Sequence, residues 1–411
     1  MAPFRGERYA AVERLSRLIA PPYDVIDPAE RARLAALDEH NIVHVMLPEA
    51  ATGKSSPGDD RYQSAADRLA AWRRNGVLRK DPEPFLYVLA QEFTLPTGER
   101  RTRRGVFAAV AAEGYDSRRI RPHEKTHAGP KADRLALLQA TATNIESIFL
   151  LAPDADRALA NAVAAVAQGT PDATAELDGV AIRLWVVRGA DLSRFPLPGS
   201  PLYIADGHHR YETASAYALE NPAADRVLAL IVSARDPGLA VLPTHRVIFG
   251  TGRELERLLT RWRQWFDVQP VPAGVDPVKH LAMLGRDRTA CLVADAKRMI
   301  ALIWRQGTLP DRVPNLAHST AARDLDVAVI ESLVVKEILG AAMSTPIVRY
   351  VADAREALQA VQRGGAAAAV LLNPTRVEQV FAVADAGDVM PPKSTYFVPK
   401  VPSGLVLRPL A

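Results

Sequence analysis

The sequence predicts an α+β fold, a mixed α/β protein in two domains, and three observations carry that prediction. Short apolar runs with strand spacing alternate with segments of helical spacing along the chain. Some of these runs face each other across turn residues, as 85–93 and 104–110 do around Pro96-Thr97-Gly98-Glu99, which is the pattern of an antiparallel hairpin. No glycine fingerprint of the Rossmann type follows a strand, so a regular doubly wound sheet is not expected. A chain of 411 residues exceeds one typical domain. The boundary is placed at 249/250, with 1–249 as the expected catalytic and phosphate-binding domain and 250–411 as a C-terminal α/β domain.

Each element follows from local chemistry. Ala20-Pro21-Pro22-Tyr23-Asp24-Val25 is extended, because proline fixes its own φ and restricts the residue before it. Asp27 is suited to cap a helix through 31–37, with Pro28 in the first turn and Glu30 beside it. A second helix covers 62–75 and stops at Gly76. The run Arg100-Arg101-Thr102-Arg103-Arg104 then lies on the rising arm of the 85–110 hairpin. Residues 132–143 are helical, 148–151 a buried strand, 154–168 an alanine-rich helix and 181–187 a strand. A strand at 202–205 leads into Asp206, a helix at 210–219 ends at Asn221-Pro222, and strands at 227–233 and 242–249 complete the first domain. In the second, a helix from Arg253 carries Trp262 and Trp265 as core anchors. Strands at 290–293 and 299–304, a helix at 326–339, and a strand and helix within 366–386 follow.

Composition excludes several classes. A hydrophobic share of 48% with 24% charged residues is that of a folded globular chain rather than a disordered one. The 51 basic residues exceed the 47 acidic ones by four, but they are interleaved with acids rather than gathered in a stripe, so nucleic acid is not an expected partner. The lone Cys291 excludes an internal disulfide framework and a cysteine-rich zinc cluster, and fits a reducing compartment. No apolar run approaches the roughly 20 residues that cross a bilayer. The opening Met1-Ala2-Pro3-Phe4-Arg5-Gly6-Glu7-Arg8 lacks the apolar stretch of a secretory signal. A cytoplasmic location without membrane association is therefore expected, and an oligomer is compatible with the sequence.

Two motifs match known signatures but lack their context. Ala51-Thr52-Gly53-Lys54-Ser55 has Pro48 where a phosphate loop needs its first glycine. His123-Glu124-Lys125-Thr126-His127 spells a zinc-hydrolase signature, yet Pro122 before it and Gly129-Pro130 after it deny the long helix such a site requires. A zinc hydrolase at His123 and His127 is kept as the outsider.

Two constellations survive. In Tyr203-Ile204-Ala205-Asp206-Gly207-His208-His209-Arg210-Tyr211 an apolar strand ends at Asp206, Gly207 allows a sharp turn, and a helix begins. Exposed N–H groups and the dipole at such a helix start attract an anion. His208, His209 and Arg210 add donors there, Arg210 as a bidentate grip on phosphate. Asp206 stands where a carboxylate can bind magnesium or orient a histidine. The second constellation is Arg121-Pro122-His123-Glu124-Lys125-Thr126, continuing to Lys131 and Arg134. Among these cations Glu124 is expected to stay ionised and can serve as general base for a hydroxyl. Lys125, Thr126, Lys131 and Arg134 are expected to hold phosphate. His245 in Pro243-Thr244-His245-Arg246, and Lys393 and Ser394 in Met390-Pro391-Pro392-Lys393-Ser394-Thr395, are, with His123, candidates to touch substrate or support the site.

Four motifs in this order, Ala20–Val25, Arg121–Thr126, Ala205–Tyr211 and Met390–Thr395, resemble a bacterial family catalogued as a domain of unknown function. The turn Asp206-Gly207-His208-His209-Arg210 is also similar to the phosphate-binding motif of the ParB-like superfamily, which includes partition CTPases, sulfiredoxin and free-serine kinases. That resemblance implies a ParB-like nucleotide-binding core with a second α/β domain. It implies Asp206, His208, His209 and Arg210 at the phosphates and metal, and Glu124 as the base. The reaction it implies is magnesium-assisted phosphoryl transfer from ADP or ATP to a small hydroxyl metabolite, free serine first. The chain lacks a helix-turn-helix, and Cys291 lies far from the motif, which departs from the partition proteins and from sulfiredoxin. Phosphoserine hydrolysis, and a ParB-like nucleotide-binding regulator or DNA adaptor without catalysis, remain as alternatives.

Overall fold

The computed structural model describes residues 1–49, 60–126, 128–199, 201–250, 255–305, 319–340 and 347–410. They form a mixed α/β protein, as the alternation of elements predicts. The chain divides into two compact units: Met1–Pro122, Thr126–Leu239 and Pro399–Ala411 in the first, His123–Lys125 and Ala240–Val398 in the second.

The first unit is built on an eight-stranded sheet. Its strands are β1 (Leu86–Thr94), β2 (Arg100–Ala111), β3 (Ile120–Arg121), β4 (Ile148–Ala152), β5 (Ala173–Leu177), β6 (Val180–Val187), β7 (Leu202–Asp206) and β8 (Arg226–Ser233). Their order is β3-β7-β4-β8-β2-β1-β6-β5. Two pairings, β7 with β3 and β8 with β4, are parallel and the rest antiparallel. Side chains alternate between faces. One face carries Val88, Val106, Ile148, Leu150, Ile204 and Ile231 into a core shared with Tyr211 and Ala214 of the helix after β7. The other face holds Gln91 directly opposite Arg103 across β1 and β2, an unusual pair for a sheet interior.

Both chain ends are tied to this unit. Ala2 and Phe4 bridge to Ala109 and Phe85, Glu7 bridges to Leu407, Ala20 to Ser403, and Arg408–Pro409 pairs with Thr143–Asn144. This backbone pairing brings the segment from Pro399 onward into the first unit, about 160 residues after the unit's previous segment closes at Leu239.

Local capping shaped the elements as expected. Asp27 accepts the N–H of Glu30 at 2.8 Å and starts the helix Pro28–Leu37. The helices Asp60–Arg74 and Ala128–Thr141 and the β1–β2 hairpin occur where spacing predicts them.

The second unit carries a six-stranded antiparallel sheet of β9 (His245–Phe249), β10 (Phe266–Pro270), β11 (Ala290–Ala294), β12 (Met299–Trp304), β13 (Ile347–Val351) and β14 (Ala368–Leu372). The order is β10-β12-β11-β14-β9-β13. Val247, Leu281, Leu292, Ala301, Ala357 and Leu371 form its core. The structure therefore divides the chain differently from the 249/250 boundary. The 245–249 run is an interior strand of the second sheet, and the last residues return to the first unit. An apolar run records that a strand is buried, not which sheet buries it. Trp262 is buried and donates Nε1–H to the Leu333 carbonyl at 3.2 Å, whereas Trp265 lies beyond the end of the helix Leu255–Trp262 and is half-buried. The 326–339 helix is interrupted by a π-helical turn at Glu331–Val335. Among the described residues no helix is long and apolar enough to cross a membrane.

One close approach supports the polar face of the first sheet. A Cβ on Gly238 would lie 2.1 Å from the Thr102 carbonyl oxygen, next to Arg103 in β2. Gly238→Ala should therefore lower stability by about 1–3 kcal/mol in urea unfolding, while Gly114→Ala, whose Cβ meets nothing within 4 Å, should stay within about 0.5 kcal/mol of wild type.

Candidate functional site

The site of the first unit starts from a bulge. The pairing of β7 with β4 shifts register between Ile204 and Asp206, so that Asp206 sits opposite Phe149. Gly207 follows at φ 89° and opens the helix α1 (His208–Glu220). The turn needs glycine twice over. Its φ is left-handed, and a Cβ would lie 2.8 Å from Ile148 Cγ2 and 3.1 Å from the Arg210 guanidinium. Asp206 does not cap the helix. Gly207 is the N-cap residue, with no side-chain hydrogen bond.

The Asp206 carboxylate is instead clasped by two cations. Arg210 Nη2 donates to Oδ2 at 2.5 Å and Lys400 Nζ donates to Oδ1. Burial works against the carboxylate, but Lys400 and Arg210 outweigh it and hold Asp206 well below the usual carboxylate range. Burial likewise opposes charge on Arg210, yet Glu146, Asp206 and Asp24 raise its pKa above the ordinary value. Arg210 also donates to the Ser147 carbonyl. Two buried atoms here, Arg210 Nε and Ser147 Oγ, have no hydrogen-bond partner.

Further groups complete the setting. Glu146 accepts the Tyr23 N–H at 3.1 Å and lies 3.5 Å from Arg134 Nη1. The Arg134 guanidinium in turn stacks 4.4 Å above the Tyr23 ring. The proline-stiffened segment 20–25 is thereby anchored beside the turn. Burial pushes the Tyr23 hydroxyl up to about 12, with Asp24 and Glu146 adding to it and Arg210 opposing. On the sheet face, Arg103 stands 4.5 Å over the Phe149 ring and is 1% exposed. It donates to Gln91 Oε1, and Gln91 Nε2 donates to the Lys400 carbonyl at 2.9 Å. Burial lowers the Arg103 pKa to about 9 against Asp236 and Asp206, and its Nε and Nη1 are without partners.

The structure thus groups Asp206, Gly207, His208, His209 and Arg210 at one turn, with His208 buried and His209 half-buried. Of the other expected phosphate ligands, Arg134 reaches the same network through Glu146, while Thr126 and Lys131 have another partner. Thr126 Oγ1 and Lys131 Nζ converge on Glu212 at 2.6 and 2.9 Å, at the rim of a cleft of about 640 Å³ that also contains stacked Tyr115 and Tyr211. Arg134 is buried and ion-paired with Asp133 at 2.5 Å. His123, Glu124 and Lys125 belong to the second unit, where Glu124 bridges to Met390. His123 is buried against Phe397, with Nε2 3.0 Å from Thr395 Oγ1. His245 is also buried, its Nδ1 accepting the Leu372 N–H at 3.2 Å, and burial with Arg246 nearby lowers its pKa to about 4. Lys393 adopts φ 57° and its carbonyl accepts from Thr244, while Ser394 is buried and bonded to Pro391.

Neither expected metal fits these residues. Both Asp206 oxygens already carry cations, so a magnesium ion there would face Lys400 and Arg210 at contact distance. Residues 123–126 lie outside any helix, contrary to the geometry of a zinc-hydrolase motif, and His127 lies outside the described residues, as does the 51–55 loop. Among the described residues no group of three metal-binding side chains occurs.

Lys400, Glu146, Tyr23 and Arg103 escaped the list of expected site residues. Tyr23 lay within a motif already noted, but the others carry no local signal: Lys400 precedes Val401-Pro402 and Arg103 sits in a basic run that reads as a solvated strand.

Fold and site together define a mixed α/β protein with a buried charge network at a strand-to-helix turn. The chain belongs to the family described as "Protein of unknown function (DUF1015)", which matches residues 1–328. No curated protein matches it. Similar solved structures include a free serine kinase in complex with AMP, at 14% identity, 72% of this chain, 87% of that chain and a TM-score of 0.37. A conserved hypothetical protein from Pyrococcus furiosus is 16% identical, with 73% and 93% coverage and a TM-score of 0.35. SbnI with C-terminal truncation, from Staphylococcus aureus, is 13% identical, with 74% and 87% coverage and a TM-score of 0.39. Likenesses this distant carry no functional argument.

The Asp206 network makes a pH-dependent contribution to stability. Its folded carboxyl is depressed, so the stabilisation is present above the unfolded value of about 3.9 and is lost as pH falls below it. Lys400→Met should cost about 1–3 kcal/mol at pH 7 in urea unfolding, and the difference from wild type should narrow below about pH 4.

Proposed function

We propose that the first unit binds the phosphates of a nucleotide at the start of α1 and that the protein transfers a phosphoryl group to the hydroxyl of a small metabolite, free serine being the first candidate. The observation that carries this reading is the helix start at Gly207, which has no side chain to cap it and is flanked by the cations Arg210 and Lys400. Backbone N–H groups and the helix dipole favour an anion there, and a guanidinium adds directed donors. The buried partnerless Arg210 Nε and Ser147 Oγ are further donors awaiting an acceptor. The motif resemblance points to the same chemistry.

Asp206 takes a positioning role in this proposal. A carboxylate held ionised between two cations is a poor proton acceptor, but it fixes where Arg210 and Lys400 stand. The transfer forms a bond from the substrate oxygen to the phosphorus as the bond to the departing nucleotide oxygen breaks. The hydroxyl proton passes to a general base, for which Glu124 is proposed on the motif resemblance alone. Charge neutralisation and positioning supply most of the rate in such transfers. Magnesium enters only as the counter-ion of the nucleotide.

A panel of nucleotides with magnesium, read by thermal shift, tests binding, and phosphoserine formation from ADP or ATP and serine tests transfer. Arg210→Gln should weaken nucleotide binding about ten- to a hundredfold. Glu124→Gln should abolish turnover while binding persists. Stabilisation by no nucleotide would refute the proposal. Phosphate release from phosphoserine without nucleotide would replace it with hydrolysis, and binding without turnover would replace it with regulation.

A further inference from the structure

The second unit contains a cleft of about 880 Å³, within the range that encloses small-molecule ligands. Its walls come from the turn before β11, Trp304 at the end of β12, the start of the Asp326–Ile330 helix and the loop after β14. Arg286, Arg288 and Arg376 line it, all exposed. None of the three is ion-paired with a described carboxylate, although Asp287, Asp324 and Asp326 line the same cleft. Three guanidiniums left in this state around a concave surface form an anion-binding rim, because each presents planar paired donors suited to phosphate oxygens.

The cleft also has a feature a mere basic patch lacks. Asp326 is half-buried in it and accepts the Thr289 hydroxyl at 2.8 Å. Burial pushes its carboxyl up to about 6, although the Thr289 bond and Arg376 act the other way. Asn373 is held nearby by close packing, since a Cβ on Gly285 would lie 2.0 Å from its Nδ2. Trp304, edge-on to Phe266 at 5.3 Å, supplies an apolar wall. A cationic rim, one carboxyl for a donor and an aromatic wall together describe a ligand with an anionic end and a polar end.

We propose that this cleft is a second ligand site, for a small phosphate ester bearing a hydroxyl or amino group. Arg286, Arg288 and Arg376 hold the phosphate and Asp326 accepts a hydrogen bond from the other end. The proposal is independent of the chemistry assigned to the first unit.

Isothermal titration of the full chain with inorganic pyrophosphate and with glycerol phosphate tests it. Both should bind, and Arg376→Gln, or Arg286→Gln with Arg288→Gln, should weaken both about tenfold or more. Asp326→Asn should weaken glycerol phosphate while sparing pyrophosphate, which has no alcohol or amino group to offer. Arg210→Gln, in the first unit, should leave in place the binding event that Arg376→Gln weakens, and any separate event it removes belongs to the first unit. The arginines are exposed, so their variants should keep the wild-type urea midpoint, which separates lost binding from lost folding. Failure of both probes to bind would overturn the proposal. So would binding that survives Arg376→Gln and is abolished by Arg210→Gln, since the anion would then sit in the first unit. An equal effect of Asp326→Asn on both probes would overturn the role of its carboxyl.

Discussion

A carboxylate largely out of water cannot stay charged without partners, and Asp206 in the first unit meets that requirement. Its two oxygens take one cation each, Arg210 from the same helix turn and Lys400 from 194 residues further along the chain. Much of the unit's construction serves this clasp. The bulge in β7 turns Asp206 to the Phe149 side, Gly207 lets the chain reverse without a Cβ striking Arg210, and pairing of the chain ends brings Lys400 into place. Gln91 then links the Lys400 backbone to the buried Arg103. The result is a pair of cations held on Asp206 beside the helix start.

Burial also explains why some cations belong to this site and others do not. Lys131 has Glu212 and Arg134 has Asp133 and Glu146, so their charges are answered within the fold. Arg103 and Arg210 are buried with donor atoms still open. An open buried donor costs more than an open surface one, so the proposed phosphate site rests on these atoms rather than on the count of basic residues.

Asp206 and Asp326 show how the same residue type diverges. Burial opposes ionisation of both. Asp206 has two cations in contact and is driven down, while Asp326 has one hydroxyl in contact and a guanidinium only in its surroundings, and is driven up. Contact, not composition, sets the direction.

What the sequence by itself determined is what neighbours along the chain decide. The Asp27-Pro28 helix start, the hairpin around Gly98 and the strand–glycine–helix turn at 202–220 were readable because capping, turn chemistry and spacing act over a few residues. The same holds for Asp206 and Arg210, one helical turn apart. Only the tertiary structure decided that Lys400, Glu146, Tyr23 and Arg103 join them, that 245–249 belongs to the second sheet, and that Lys131 turns to Glu212. Those outcomes depend on strand pairing and ion pairing between residues tens to hundreds of positions apart. Such contacts are chosen by the burial of whole surfaces, and a side chain's own neighbours in sequence hold no record of them.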